Sequence, residues 1–224
     1  MLPPLLICDF DGTLTEMDVG DALCDRFAPP AWRDVDDAFL RGEMSLPDAQ
    51  RQMWSMVRAS RQELLAHARQ VGALRPGAEA LFEAAAAGEL ELVVASGGFD
   101  LYIDALLGER TSLLRARYHN RLISRDGGGV ELEFAEGLAC HRCAVCKAEV
   151  VRRHLDPGRR VAFCGDGASD QCAAAIAPEL FAIQGGDLAH HCTIHQIPFT
   201  PLTTLHPLLT QLRGTQLRGT DLRS

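Results

Sequence analysis

The feature that most restricts the fold is a regular alternation of short apolar runs and helical patterns over most of the chain. Each apolar run has the length of one buried strand and ends in a polar or glycine-rich turn. The runs are Leu5–Asp9, Leu90–Ala95, Arg160–Cys164 and Glu179–Ile183, and the helical patterns are Pro76–Ala87, Phe99–Leu107, Cys146–His154 and Ala168–Ala175. Such alternation predicts an α/β fold, with a Rossmann-like parallel sheet and helices on both faces.

A purely helical stretch interrupts this alternation after the first strand. Its candidate helices are Asp18–Phe27, Pro30–Leu40, and two that begin with capping patterns at Ser45/Asp48 and Ser60/Glu63. Because no strand is predicted among them, we interpret them as an inserted helical-bundle cap. The predicted domains are a core of residues 1–15 and 74–210, a cap of residues 16–73 and a tail of residues 211–224.

Two shorter patterns complete the fold prediction. Arg117–Ser124 and Val130–Phe134 flank the glycine-rich segment Arg125–Gly129, which predicts a small β-hairpin. The tail repeats the letters QLRGT, and two copies are too few for a repeat fold. We therefore predict a frayed helix end or a disordered segment there.

Charge and hydropathy argue against several classes of partner. The net charge of −8 at pH 7 disfavours nucleic acid and anionic membranes, both of which attract clustered Lys and Arg. No apolar run approaches the roughly 18 residues that cross a bilayer, and the first residues lack the basic segment of a signal peptide. We expect a cytoplasmic enzyme, monomeric or homodimeric, whose eight cysteines are reduced.

The strongest chemical signal is Asp9-Phe10-Asp11-Gly12-Thr13, directly after the first strand. Ligands of open α/β sheets gather outside the carboxyl ends of the strands. With a metal ion to draw the two together, the carboxylate of Asp9 can attack an electrophilic phosphorus. Asp11 can then protonate the leaving oxygen and deprotonate the attacking water. For this segment alone, the alternative is a turn that merely caps the strand.

Three further segments carry groups suited to a phosphate ester. Ser96-Gly97-Gly98 follows the second strand and offers a hydroxyl and backbone N–H groups to an anion. Lys147 begins a helix and can neutralise phosphate charge. Asp166 and Asp170 follow a later strand and provide hard oxygen ligands for a divalent cation. Taken singly, each also fits an ordinary turn or a solvated surface residue.

Together, these segments resemble, in order and spacing, the four motifs of the haloacid dehalogenase superfamily. The four-helix cap resembles that of its phosphoserine-phosphatase-like branch, so the resemblance covers nearly the whole chain. It implies a hydrolase of phosphoric monoesters that needs Mg²⁺ and acts on a small phosphorylated metabolite.

The resemblance also implies a role for each matching residue. The nucleophile is Asp9, the acid/base is Asp11, and the Mg²⁺ ligands are Asp9, Asp166 and the Asp11 carbonyl. The phosphate is bound by Ser96, the Gly97 N–H and Lys147, with Asp170 and Thr13 in supporting positions.

Within that branch, a closer resemblance is to the methionine-salvage phosphatases that act on 2-hydroxy-3-keto-5-methylthiopentenyl 1-phosphate. It is carried by Ser96–Asp100, Cys146-Lys147, Ile197–Leu202 and Leu205-His206. The Cys-Lys pair also resembles phosphocholine/phosphoethanolamine and pyridoxal-phosphate phosphatases. Gly12 stands where phosphoserine phosphatases usually carry serine, which argues against phosphoserine as the substrate.

Three cysteines, Cys140, Cys143 and Cys146, are spaced three residues apart just before Lys147. Short Cys spacings occur in zinc sites, but a tetrahedral set would need His141 or a distant ligand such as Cys192. We interpret the segment as a cysteine-rich loop beside the active site and keep a structural Zn²⁺ as the alternative.

Other functions remain open on the sequence alone. A catalytically idle binding protein can keep this fold, and a phosphomutase would share the aspartyl-phosphate. A dehalogenase has no use for Asp11 or for a metal-binding aspartate. Met17, Asp18 and the inner face of the cap are the predicted substrate contacts.

Overall fold

A computed structural model describes residues 2–125, 129–137, 140 and 142–214. Its strands are β1 Leu5–Cys8, β2 Glu91–Phe99, β3 Ala116–Ser124, β4 Val130–Glu133, β5 Val161–Gly165, β6 Glu179–Ile183 and β7 Thr200–Leu202. They form one seven-stranded sheet in the order β4-β3-β2-β1-β5-β6-β7. The β3–β4 hairpin is antiparallel and the other pairs are parallel, so the predicted α/β class and hairpin are confirmed.

Helices cover both faces of this sheet and also form the cap. The cap helices are α1 Val19–Phe27, α2 Trp32–Leu40, α3 Leu46–Ser55 and α4 Arg61–Val71. The remaining helices are α5 Ala78–Ala86, α6 Asp100–Leu107, α7 Lys147–His154, α8 Gln171–Ala174, α9 Asp187–His195 and α10 His206–Gly214. The predicted inserted helical cap is therefore present between β1 and β2.

The central strand β1 is buried on both sides, which explains its continuous apolar sequence. Leu6 and Cys8 face the larger hydrophobic core, to which the cap helices also contribute. Leu5 and Ile7 point to the opposite face and pack in a second core with residues of α7 and α9. Successive side chains of a strand alternate between faces, so one short run supports both layers.

The cap joins the core through two chain segments that lie side by side. Thr15 and Leu74 form an isolated antiparallel bridge, and the Glu16 N–H donates to the Ala73 carbonyl at 2.9 Å. The domain boundaries at residues 15/16 and 73/74 stay a prediction, and this pairing lies directly beside them.

Two elements differ from the sequence-based expectation. The second strand does not end before Ser96-Gly97-Gly98 but continues through Phe99, because a register shift between Ala95 and Phe99 accommodates the glycines. The helix predicted over Ala168–Ala175 divides into a 3₁₀ turn, Ala168–Asp170, and the short α8. In that turn the Asp170 carboxylate accepts backbone N–H groups, which replaces helical hydrogen bonding.

The end of the chain holds more structure than expected. Glu179–Ile183 is the final strand predicted from the sequence, but β7 pairs with β6 in parallel and α10 follows. Residues 211–214 of the predicted tail complete α10, whereas residues 215–224 and hairpin-turn residues 126–128 lie outside the described residues. In the described parts of the chain, no helix combines the length and hydropathy needed to span a bilayer.

The central strand gives a direct test of the core. Leu6→Ala should lower the free energy of unfolding by about 2–5 kcal/mol, because Leu6 is fully buried in the larger hydrophobic core. Leu155→Ala is the matched control, since Leu155 is 48% exposed and its truncation should cost no more than about 0.5 kcal/mol. Urea titration measures both, and equal losses would contradict this placement of the core.

Candidate active site

The predicted site residues meet at the carboxyl edge of the sheet, beneath the cap. β1, β2 and β5 are adjacent and parallel, so their ends present Asp9, Ser96 and Asp166 to one cavity. The cavity has a volume of about 290 Å³, and cap helices α1, α2 and α3 form its opposite wall. Its position fits the general rule for ligands of open α/β sheets.

Lys147, the first residue of α7, carries the positive charge at the floor of the cavity. Its Nζ lies 2.9 Å from Asp9 Oδ2 and 2.8 Å from Asp170 Oδ1, and it donates to Ser169 Oγ at 2.6 Å. The side chain is only 1% exposed, so it is not a solvated surface lysine. Burial alone would lower the pKa of Lys147, but the charges of Asp170 and Asp9 raise it well above its usual value. The ammonium group therefore stays charged at neutral pH.

Asp9 follows β1 and is buried. Its Oδ1 accepts the Phe10 N–H at 2.7 Å, and its Oδ2 accepts from Lys147. Burial raises the pKa of Asp9 well above its usual range, and the nearby Asp170 charge adds to this, while Lys147 opposes it. A second positive charge beside Asp9 would therefore favour its ionised form.

Asp166 follows β5 and faces Asp9 across the cavity floor. Thr13 Oγ1 donates to Asp166 Oδ1 at 2.7 Å, and burial together with the Asp170 charge raises the pKa of Asp166 to about 7. Gly12 has a φ of +67°, and a Cβ there would collide with the Asp166 carboxylate. In this chain, a side chain at position 12 would therefore strain the backbone and displace the Asp166 carboxylate.

This arrangement fits a divalent cation. One carboxylate oxygen each from Asp9, Asp166 and Asp170 lie within 4.8 Å of one another. Asp170 is already paired with Lys147, and its Oδ2 accepts the N–H groups of Asp166 and Gly167 at 2.9 and 3.0 Å. Mg²⁺ takes few carboxylates and keeps several waters, so Asp9 and Asp166 are the side chains suited to hold it.

Asp11 projects towards the cap rather than towards Lys147. Its Oδ1 accepts the Val19 N–H at 3.0 Å, and its Oδ2 accepts from Tyr102 at 2.8 Å and Ser96 at 3.3 Å. Burial, followed by the charge of Asp18, raises the pKa of Asp11 to about 8, although these hydrogen bonds lower it. At neutral pH this carboxyl group therefore carries a proton in much of the population.

Ser96 and Gly97 of β2 also line the cavity, next to Asp11. Ser96 Oγ accepts the Gly98 N–H at 2.8 Å, which fixes the hydroxyl beside Asp11. The Gly97 carbonyl accepts from Gln50 of the cap at 2.9 Å and from Asn120 of β3 at 2.7 Å. These contacts hold the glycine segment in place and join it to the cap.

Several residues that surround these groups were not predicted from the sequence. Tyr102 lies in the first turn of α6 and bonds Asp11, and Ser169 bonds Lys147. Arg75 donates to the carbonyls of Gly12 at 2.6 Å and Thr13 at 2.9 Å and so holds the loop after β1. Only Ser169 carried a signal, because it lies inside the GDGASD segment.

The cap wall of the cavity is acidic. Asp18, Asp21 and Asp36 line it, whereas Met17 is 45% exposed and does not. Burial and neighbouring carboxylates raise the pKa of Asp21 to about 9 and that of Asp36 to about 6. Among the described residues that line the cavity, Lys147 is the only lysine or arginine.

The cysteine-rich segment lies next to this site. The sulfurs of Cys140, Cys143 and Cys146 are within 4.8 Å of one another. Cys192, one predicted fourth ligand, packs in a different hydrophobic core, and the other, His141, lies outside the described residues.

Comparison with known proteins gives a consistent picture. A sequence model of haloacid dehalogenase-like hydrolases matches residues 6–175. The chain is 27% identical over 213 residues to a 2-hydroxy-3-keto-5-methylthiopentenyl-1-phosphate phosphatase of Exiguobacterium sibiricum, covering 94% of this chain and 96% of that protein. It is also 27% identical over 216 residues to the phosphatase of the same name from Brevibacillus brevis, covering 93% and 95%.

Solved structures agree on the fold. A phosphoserine phosphatase, solved as an analogue of its phospho-aspartyl intermediate, superimposes with a TM-score of 0.72 at 20% sequence identity. The match covers 94% of this chain and 99% of that one, so it includes both core and cap.

Cation binding can be measured without turnover. Saturating Mg²⁺ should stabilise the protein by about 2.7 kcal/mol at 100 times its Kd, because only the folded site brings the two carboxylates together. Asp166→Asn should weaken Mg²⁺ binding by about tenfold or more in calorimetry. The control, Asp104→Asn, removes an exposed carboxylate paired with Arg117 and should bind as the parent does. Unchanged affinity in Asp166→Asn would refute this cation site.

Proposed function

The chain belongs to the haloacid dehalogenase-like hydrolases, and on that premise we propose that it is a Mg²⁺-dependent phosphatase acting through an aspartyl-phosphate on Asp9. One observation carries the proposal. Asp9 and Asp166 approach each other closely enough for one cation, while Lys147 lies 2.9 Å from Asp9. Nucleophile, cation ligand and phosphate-neutralising charge thus share one cavity.

In the first step, a carboxylate oxygen of Asp9 attacks phosphorus and the bond from phosphorus to the substrate oxygen breaks. Asp11 gives its proton to that leaving oxygen, a role supported by its pKa of about 8. Lys147, the Ser96 hydroxyl and the Gly97 N–H offset the charge on the phosphoryl oxygens. The products are an alcohol and a phosphorylated Asp9.

In the second step, water attacks the phosphorus of the aspartyl-phosphate. Asp11, now ionised, removes a proton from that water, and the bond from phosphorus to Asp9 breaks to release inorganic phosphate. Asp170 keeps Lys147 in place through their 2.8 Å contact, and Thr13 orients Asp166. Bound Mg²⁺, held by Asp9, Asp166 and the Asp11 carbonyl, supplies charge neutralisation between nucleophile and phosphate.

Two substitutions separate the steps. Asp9→Asn should lower phosphate release from p-nitrophenyl phosphate by about 10³-fold or more, on the scale of losing a nucleophile. Asp11→Asn should lower turnover by about 10²–10⁴-fold. Because p-nitrophenolate leaves without a proton, Asp11→Asn should still form the phosphoenzyme and accumulate it, as acid quenching with labelled substrate measures.

The control for both is Asp104→Asn, which should retain parental activity, and EDTA should abolish turnover in all active forms. Full activity of folded Asp9→Asn would rule out the covalent route. An absence of phosphate release from any tested phosphomonoester would favour the catalytically idle binding protein. Return of phosphate to a second substrate hydroxyl, rather than to water, would favour a phosphomutase.

For the substrate, we propose the 2-hydroxy-3-keto-5-methylthiopentenyl 1-phosphate of methionine salvage. The names of the relatives suggest it, and the cavity is compatible with it. Leu46, Met53 and Trp54 of α3 offer an apolar wall to a methylthioalkyl chain. Gln50 Oε1 is buried without a hydrogen-bond partner among the described residues and can accept from a substrate hydroxyl.

A second candidate is a cationic phosphomonoester such as phosphocholine or phosphoethanolamine. The acidic wall of Asp18, Asp21 and Asp36 favours it, because a positively charged substrate would offset their mutual repulsion. Phosphoserine and pyridoxal phosphate remain predictions from the sequence, as do a cytoplasmic location and a monomeric or homodimeric state.

Measuring turnover of a panel of these phosphomonoesters should discriminate between the two candidate substrates. We expect kcat/KM for the methylthiopentenyl ester to exceed that for the others by about tenfold or more. Asp36→Asn should leave that value nearly unchanged, since the ester carries no positive charge to bind there. If phosphocholine is instead preferred and Asp36→Asn lowers its kcat/KM about tenfold, the second candidate replaces the first.

A further inference from the structure

Four cysteines from two separate segments converge behind the active site. Cys140, Cys143 and Cys146 precede α7, and Cys172 lies in α8, after the turn that holds Asp170. All four pack in one small hydrophobic cluster with Ala148 and Ile176. We call this set of four side chains the thiol cluster.

We propose that the thiol cluster binds one Zn²⁺ ion as a four-thiolate structural site. Four cysteines in a Cys₄ set are a common structural zinc site, and such sites close the coordination sphere. The fourth ligand is thus Cys172, which replaces both His141 and Cys192 of the sequence-based alternatives.

The spacing of the sulfurs carries the proposal. With zinc–sulfur distances of about 2.3 Å, the sulfurs of a tetrahedral site lie about 3.8 Å apart. The sulfurs of Cys143 and Cys172 are 3.7 Å apart. Those of Cys140, Cys143 and Cys146 lie within 4.8 Å of one another, so Cys143 is close to all three of the other thiols. To surround an ion, the Cys172 side chain would move closer to the Cys140 and Cys146 sulfurs.

The alternatives account for less of this geometry. A disulfide between Cys143 and Cys172 requires a sulfur–sulfur distance of about 2.05 Å and would leave the other two thiols without a role. Apolar packing explains the burial of Cys143 and Cys146, but it does not require three sulfurs to lie within 4.8 Å of one another with a fourth 3.7 Å from Cys143. Zinc uses all four.

The proposed site would act on catalysis through position. Cys146 immediately precedes Lys147, and Cys172 lies two residues after Asp170. The Cys143 thiol also contacts the Ser169 carbonyl at 3.9 Å. A zinc ion there would fasten the start of α7 to the turn after β5, and so fix Lys147 relative to its partners Asp170 and Ser169.

The first test uses the parent protein, purified without chelator and exchanged into Mg²⁺ buffer. Elemental analysis should find about one zinc per chain, and X-ray absorption should give four sulfur neighbours at about 2.3 Å. Sulfur neighbours show that the zinc is bound at the thiol cluster. Zinc bound by the active-site carboxylates would instead have oxygen neighbours. Less than about a tenth of an equivalent of zinc, or a shell of oxygen alone, would overturn the proposal.

A matched pair of substitutions gives the second test. Cys172→Ala removes a half-buried thiol of the cluster and should reduce the bound zinc severalfold. Cys192→Ala removes a buried thiol from a different core and should retain the full equivalent. Equal zinc contents in the two variants, or an intact Cys143–Cys172 disulfide in the mass spectrum of the parent, would also contradict the site. Should Cys172→Ala fail to fold, the sulfur shell of the parent decides.

Discussion

The structure depends on how one buried lysine is balanced against several carboxylates. Lys147 pairs with Asp9 and Asp170 at 2.9 and 2.8 Å, yet Asp166 and Asp11 also lie in the same enclosed space. Burial, and after it the charge of neighbouring carboxylates, raises the pKa values of Asp9, Asp11 and Asp166, so keeping all of them ionised is unfavourable in the chain alone. A divalent cation between Asp9 and Asp166, as proposed above, would offset this negative charge and admit an anionic phosphate ester, so cation binding would relieve an arrangement that is unfavourable in the chain alone. The same excess of carboxylates over positive charge would thus favour cation binding and supply the groups for the proposed phosphoryl transfer.

The sheet makes this arrangement possible because neighbouring parallel strands end at the same edge. Parallel neighbours β2, β1 and β5 end at one edge, so residues far apart in sequence meet there without a long loop. The central strand β1 is buried on both faces and gives Asp9 a firmly packed support. Cap helices α1, α2 and α3 line the cavity above the strand ends, where the proposed substrate would bind, and the thiol cluster includes Cys146, the residue before Lys147. Reactive groups, substrate contacts and supporting contacts therefore belong to different parts of the fold.

Most of the fold could be predicted because its signals are local. The run Leu5–Asp9 and the capping pair Ser60/Glu63 each act over a few residues, and both β1 and the capping box form as expected. The meeting of Asp9 with Asp166 was predictable from strand ends alone. The partners Tyr102, Gln50 and Arg75 were not, since their roles depend on which helix face or loop turns towards the site. Cys172 was missed for the same reason, because its neighbours in sequence give no sign of the other three thiols.

The pairing of Thr15 with Leu74 has an evolutionary consequence. Since the outgoing and returning chains of the cap pair where they leave the sheet, both covalent connections of the bundle to the core lie at one place. Its internal sequence can drift, lengthen or be exchanged while the spacing of the two anchors, and hence the nucleophile, stays the same. Descendants of such a chain can acquire new substrates by remodelling a peripheral module, with the reaction inherited intact.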